Sequence, residues 1–211
     1  MAHIRHYLAN EKERESIAQK GQAYAIKRFS YLNTLKSVWP EVMLEWKRNQ
    51  KPRAEASLAN RLKDASFSNG GSWLMHNAQA TDLYPRNGAR VVQFEPGEAN
   101  AYIQQTFAVT PGKHYLIRSQ LAKVGKGIGA PVNILLYWYD AAGQLLDTGL
   151  YGSMFPTDFP DAASNQWFSY RAITTQVPRH ATHAQLLINK LGYKGSVPLL
   201  VADCSCTEYE V

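Results

Sequence analysis

The stretch YIQQTFAVTPGKHYLIRSQLA, Tyr102–Ala122, holds two alternating runs on either side of Thr110-Pro111-Gly112-Lys113. A period of two sends successive side chains to opposite faces of a strand. In the first run Ile103, Phe107 and Val109 share one face, leaving Tyr102 and Gln104 on the other. In the second, Tyr115, Ile117 and Leu121 share a core face, leaving Arg118 and Gln120 outward. Pro-Gly between them is turn chemistry: proline presets φ and glycine accepts the positive φ that follows. An amide, a guanidinium and a phenol therefore stand where a plain solvent face would do.

Working outward, the same alternation recurs. In VNILLYWYD, Val132, Ile134, Leu136 and Trp138 oppose Asn133, Leu135, Tyr137 and Tyr139. In HAQLLINK, Ala184, Leu186 and Ile188 oppose Gln185, Leu187 and Asn189. LKDASFS, ARVVQFE, GQLLDTG, WFSYRAITTQV and PLLVADCSCTE complete a series of short runs separated by turn signals. Many short strands with regular turns predict an antiparallel β-sandwich or jelly roll over 54–211. No internal repeat or low-complexity tract interrupts it.

The segment 1–53 reads differently. It holds 11 Lys/Arg against 5 Asp/Glu, whereas the rest of the chain is balanced, so the whole net charge of +6 lies there. Asn10, followed by Glu13 at the third helical position, predicts a capped helix running to about Phe29. Leu32, Leu35, Trp39, Val42/Met43 and Trp46 predict a second amphipathic helix, kinked or restarted at Pro40. Two or three helices should thus precede the sandwich, joined to it through the polar stretch RNQKPRAEAS. A single apolar stripe cannot form a core alone, so it should dock on the sandwich or on a second copy of the chain. The basic residues alternate with Glu, which argues against nucleic acid as a partner.

The 211 residues are 45% apolar, enough for a buried core. No run approaches the ~18 apolar residues of a membrane span. The N-terminus lacks the apolar core of a secretory signal. With Cys204 and Cys206 reading as two free buried thiols, a reducing, cytoplasmic setting is mildly favoured.

Two resemblances extend these readings. IRHYLANEKERESIAQKGQAYAIKRFSY resembles the C-terminal tail of glycosyltransferases built from two Rossmann-like domains, through Ile4, Tyr7, Leu8, Glu13, Arg14, Ile17, Ala18 and Gly21. It implies a tail whose nucleotide-sugar site lies on catalytic domains not present in this sequence, with a glycosyltransferase catalytic chain as a candidate partner. LKDASFSNGGSW, QQTFAVTPGKHYLIRSQLAK, VNILLYWYDAAGQLL, VPRHATHAQLLI and VPLLVADCSCTE fall in the order of the strands of galactose-binding-like carbohydrate-binding modules. Families four, nine and twenty-two are the ones they resemble most.

That resemblance implies a non-catalytic module for a glycan or polysaccharide. It also implies a structural calcium between the chain ends, held partly by carboxylates. Ser68 and Ala202 stand where two of those carboxylates are expected, which leaves Asp203 as a weak calcium candidate and argues for no bound cofactor.

The outward groups of the alternating runs form the predicted sugar surface: Tyr102, Gln104, Arg118, Gln120, Tyr137, Tyr139, Gln185 and Asn189. Planar amides and guanidinium anchor hydroxyls in fixed geometry, and aromatic rings offer a flat apolar face. On this reading Arg118 and Gln120 share one surface with Tyr137 and Tyr139. The alternatives are a helix-docking face, favoured by Leu135 and Leu187, and an ordinary polar surface. Tyr151, Phe155 and Trp167, in the loop YGSMFPTDFPDAASNQW, form either a second sugar platform or a plug. Catalysis finds little support, because the acids sit mainly in turns (Asp140, Asp147, Asp158, Asp161) and glycoside hydrolysis needs two carboxylates flanking the bond. Besides the glycan module, a structural or interaction module and a fragment of a glycosyltransferase remain open.

Overall fold

A computed structural model of the chain describes residues 10–29, 59–68 and 71–210. The chain divides into two units, Met1–Ala56 and Ser57–Val211. In the first, helix α1 spans Glu11–Phe29 with Glu11 and Glu13 in its first turn. There their charge complements the positive end of the helix dipole. The amphipathic stretch Leu32–Trp46 and the linker lie outside the described residues.

The second unit is an antiparallel β-sandwich with jelly-roll character. Its strands are β1 (Leu74–His76), β2 (Ala78–Arg86), β3 (Ala89–Phe94), β4 (Ala101–Ala108), β5 (His114–Lys123), β6 (Val132–Tyr139), β7 (Leu145–Met154), β8 (Phe168–Ile173), β9 (His183–Lys190) and β10 (Leu199–Tyr209). One sheet orders them β1-β4-β9-β6-β7 and the other β2-β3-β10-β5-β8. The alternating apolar positions meet between the sheets. Tyr115 of β5 packs edge-on to Phe107 of β4 at 6.2 Å and lies 6.3 Å from Trp138 of β6. Trp138 is wholly buried, and its indole N–H donates to Thr175 Oγ1 at 3.2 Å. Gly149 of β7 lies against the ring, where a Cβ would come within 2.4 Å of the indole, so this strand must present hydrogen there.

The decisive feature is where β4 and β5 go. They do not pair with each other. The Thr110–Lys113 turn, closed by Lys113 N–H donating to Thr110 O, carries the chain from one sheet to the other. Gly112, at φ 79°, supplies the left-handed step and donates its N–H to Val177 O. The previous crossing, from β3 to β4, is held by Lys190. This lysine of β9 has no exposed surface, and its ammonium donates to Gly97 O at 2.8 Å and Ala99 O at 2.7 Å. Burial pulls its pKa down, with Glu95 opposing the shift.

Two segments depart from expectation. LKDASFS is a bend and turn, not a strand. Asp64 accepts from Phe67 N–H and Ser68 N–H, while Leu62 and Phe67 are buried in the core and Phe67 packs on Trp73. The apolar residues that suggest alternation are five apart, which is odd for one face of a strand. Conversely, β1 and β2 carry few apolar residues and are not legible as runs.

In β10 a bulge between Ala202 and Ser205 changes the phase of the strand. Leu199 and Val201 point inward before it, Cys204 and Cys206 after it. Both thiols are free and buried. Burial pushes the Cys204 thiol up to about 12 and raises that of Cys206 as well.

Candidate functional site

The outer face of the β1-β4-β9-β6-β7 sheet can be assembled row by row from the strand register. One row reads His76, Tyr102, Asn189, Asn133, Ser153. The next is Leu74, Gln104, Leu187, Leu135, Tyr151. The third is Thr106, Gln185, Tyr137, Thr148, and the fourth Ala108, His183, Tyr139, Leu145. Residues directly opposite each other share a face. This surface therefore collects Tyr102, Gln104, Tyr137, Tyr139, Gln185 and Asn189, six of the eight predicted residues.

Its geometry is specific at three places. His76 stacks on Tyr102, ring centroids 5.1 Å apart, and His183 stacks on Tyr139 at 5.5 Å. Tyr139 O–H donates to Gln185 Oε1 at 3.4 Å. In the row of the first stack, next to Tyr102, Asn189 and Asn133 are register partners, and the side-chain oxygen of each is buried without a hydrogen-bond partner among the described residues. Along β9, Asn189 and His183 are separated by about 20 Å at ~3.3 Å per residue.

Sequence reasoning missed His76, His183 and Asn133 as members. Asn133 and His183 sit in the same alternation as Tyr137 and Gln185. His76 lies on the unread β1.

The expectation that Arg118 and Gln120 share this surface is corrected. Both are on β5, hence on the outer face of the opposite sheet, with the core between them and Tyr137. Alternation separates inward from outward, but it does not say which sheet is meant. On its own sheet Gln120 donates to Ser169 Oγ at 3.2 Å, and Arg118 pairs in register with Arg171 of β8.

The loop residues also separate. Tyr151 lies on β7, on the outer face of the first sheet and 65% exposed, and Phe155 is exposed beyond its end. Trp167 packs on the other sheet, against an apolar patch of Val91, Ala122, Ala162, Leu200 and Ala202. Arg86 lies over its ring at 5.3 Å. Beneath the loop, Phe159 is buried in the main core. Trp167, Phe168 and their neighbours Thr157–Pro160 line an open recess of about 620 Å³. The three aromatics thus do not form one platform.

Asp203, the weak calcium candidate, sits at the β10 bulge with φ 50°. Its carboxylate accepts from Arg86 Nε at 2.9 Å and Asn87 Nδ2 at 3.1 Å. No group of three or more His, Cys, Asp or Glu gathers as a metal site among the described residues. Near the start of the sandwich, Asn60 Oδ1 accepts from Leu62 and Cys206 N–H, and Arg61 pairs with Glu208. Neutral and cationic side chains thus tie this segment to β10.

Among solved structures, the chain is similar to the enzymatically active domain of bacteriophage CBA120 tailspike protein 4, at 14% identity over 71% of this chain and 21% of that one, with a TM-score of 0.53. The chain therefore spans about a fifth of that protein. It is similar over 70% of its length to nearly all of a family 16 carbohydrate-binding module, with 14% identity and a TM-score of 0.52. A third likeness, 13% identical with a TM-score of 0.50, is to TmCBM61, solved in complex with β-1,4-galactotriose, over 72% of this chain and 99% of that one. The fold is thus the jelly roll of carbohydrate-binding modules. No protein-family model and no curated protein matches the sequence.

Proposed function

We propose that this chain is a non-catalytic carbohydrate-binding module and that the outer face of the β1-β4-β9-β6-β7 sheet receives the glycan. The observation that carries the reading is the pair of unpartnered asparagine oxygens, Asn133 and Asn189, in the same row as the His76–Tyr102 stack, with the His183–Tyr139 stack further along the same two strands. Buried acceptors without partners are costly, roughly 1–3 kcal/mol each, and turning either amide outward onto a ligand hydroxyl or bridging water would relieve that cost. The tyrosine rings supply flat apolar surface, and Gln104 and Gln185 supply further donors and acceptors. No carboxylate stands in the four rows, so the face lacks the acid pair that glycoside cleavage requires.

The test is a glycan array on the purified chain, followed by titration of the best hit against wild type and Tyr137→Ala. Losing one stacking ring should weaken affinity roughly ten-fold, a change of about 1.4 kcal/mol, with little change in melting temperature. Equal affinities would remove this face from consideration.

A second reading is favoured by Leu187 and Leu135, register neighbours in the middle of the face, together with exposed Leu74 and Tyr151. These suit a protein-interaction surface, and an array without hits would support it. The N-terminal segment remains, on its sequence resemblance alone, a glycosyltransferase-like tail. On this proposal it recruits a catalytic chain or joins two copies through its helices. Light scattering on the full chain separates the two: a monomeric mass ends the homo-oligomer branch.

A further inference from the structure

The outer face of the second sheet has two halves. One is covered: Val91, Ala122, Leu200 and Ala202 lie under Ala162 and Trp167. The other is not covered by any described residue, and register assembles it from β10, β5 and β8. Its rows are Thr207, Leu116, Ile173; then Ser205, Arg118, Arg171; then Gln120 and Ser169, next to the covered Ala202. Tyr209 stands at its end, opposite His114. A recess of about 330 Å³ opens there, lined by Leu116, Arg171, Ala172, Ile173 and Tyr209.

Two arginines directly opposite each other on one face repel, and such pairs are destabilising unless an anion lies between or beside them. Arg118 is half-buried and already engaged. Arg171 is exposed, and its guanidinium makes no hydrogen bond or ion pair with any described residue. A guanidinium fork matches a planar carboxylate through two parallel hydrogen bonds. Beside it, Tyr209, Leu116 and Ile173 present apolar surface for a ring, while Ser205, Thr207 and Ser169 offer hydroxyls.

We infer that this half-face is a second binding site, distinct from the first sheet, for the carboxylate-bearing sugar of an acidic glycan, with Arg171 as its anchoring charge. A uronic acid residue satisfies both halves of the recess: its carboxylate meets the fork, and its ring lies against Tyr209 and Ile173. A bare acidic peptide would use the charge but not the hydroxyl row.

The test is calorimetric titration of the full chain with trimers of galacturonic and glucuronic acid, the corresponding neutral trimers, and triglutamate. A uronic acid trimer should bind, more weakly as salt is added, because the contact is charge-assisted near solvent. Arg171→Ala should weaken that binding roughly ten- to hundred-fold. Arg171→Lys should recover only part, since an ammonium cannot make the paired contact. Lys194→Ala, which removes an equal charge from the β9–β10 loop, should leave it unchanged. Melting curves check that each variant is folded, and Arg171→Gln serves if the alanine variant is not.

Failure of both uronic acid trimers to bind overturns the proposal, as does equal affinity for wild type and Arg171→Ala. An equal loss in Lys194→Ala would show bulk charge attraction only. Triglutamate binding as tightly as the uronic acids would reduce the site to a general carboxylate patch. The neutral trimers report on the first sheet, so either site can fail without the other.

Discussion

β4 and β5 look alike as sequence. Each alternates an apolar set with polar or aromatic outward residues, and four residues join them. In the fold they belong to different layers, and their outward side chains end on opposite sides of the molecule. β4 contributes Tyr102 and Gln104 to a face of tyrosine–histidine stacks and unpartnered amides. β5 contributes Arg118 and Gln120 to a face that is part covered loop and part arginine pair. The difference teaches that a short turn between two strands implies neither that they pair nor that they share a surface. Pairing is decided by which strands lie alongside, and β9 and β10 take those places.

The largest test of this division compares neighbours on β6. Trp138, wholly buried between the layers, should cost about 3–5 kcal/mol when changed to Ala. Tyr137, one residue away and outward, should cost about 0.5 kcal/mol or little more, as surface changes do. Urea unfolding of the two variants measures both. Similar losses would mean that the outward face is also packed.

Next comes the crossing from β3 to β4. Lys190→Met keeps the length of the side chain but takes one donor from Gly97 O, which keeps Tyr193 N–H and Ser196 Oγ, and strips Ala99 O of Lys190. Leaving Ala99 O without its donor should cost about 1–3 kcal/mol in the same assay. An unchanged midpoint would show that the loop is anchored by other contacts.

The smallest effect is expected at the bulge. The Arg86–Asp203 pair is partly exposed, with side chains 26% and 34% accessible, so Arg86→Ala should cost about 1 kcal/mol or less. Because that carboxylate is engaged by Arg86 and Asn87, a chelator should leave the melting temperature where it is. A large drop on chelation, restored by calcium, would show that Asp203 serves a metal.

Much of the sandwich was legible because its cause is local. Burial on one face forces a period of two, and that period is visible in β4, β5, β6 and β9. β1 and β2 were not, because they bury few large side chains and so carry little pattern. LKDASFS misled because two buried residues, Leu62 and Phe67, belong to a turn held by Asp64 rather than to a strand. The candidate surface was legible in its membership on one sheet, from Tyr102 to Asn189. Arg118 and Gln120 were assigned to the wrong side, and His76 was hidden in an unread strand.

By itself, then, the sequence determined which side chains of each clear strand face the core, because alternation is a property of the chain alone. It also determined the helix that begins at Glu11, through the acidic residues of its first turn. Only the tertiary structure decided which strands are neighbours, and hence which outward residues stand together. The physical reason is that β pairing is made between strands distant in sequence. Nothing along β4 or β5 records that β9 and β10, and not each other, will take up their backbone hydrogen bonds.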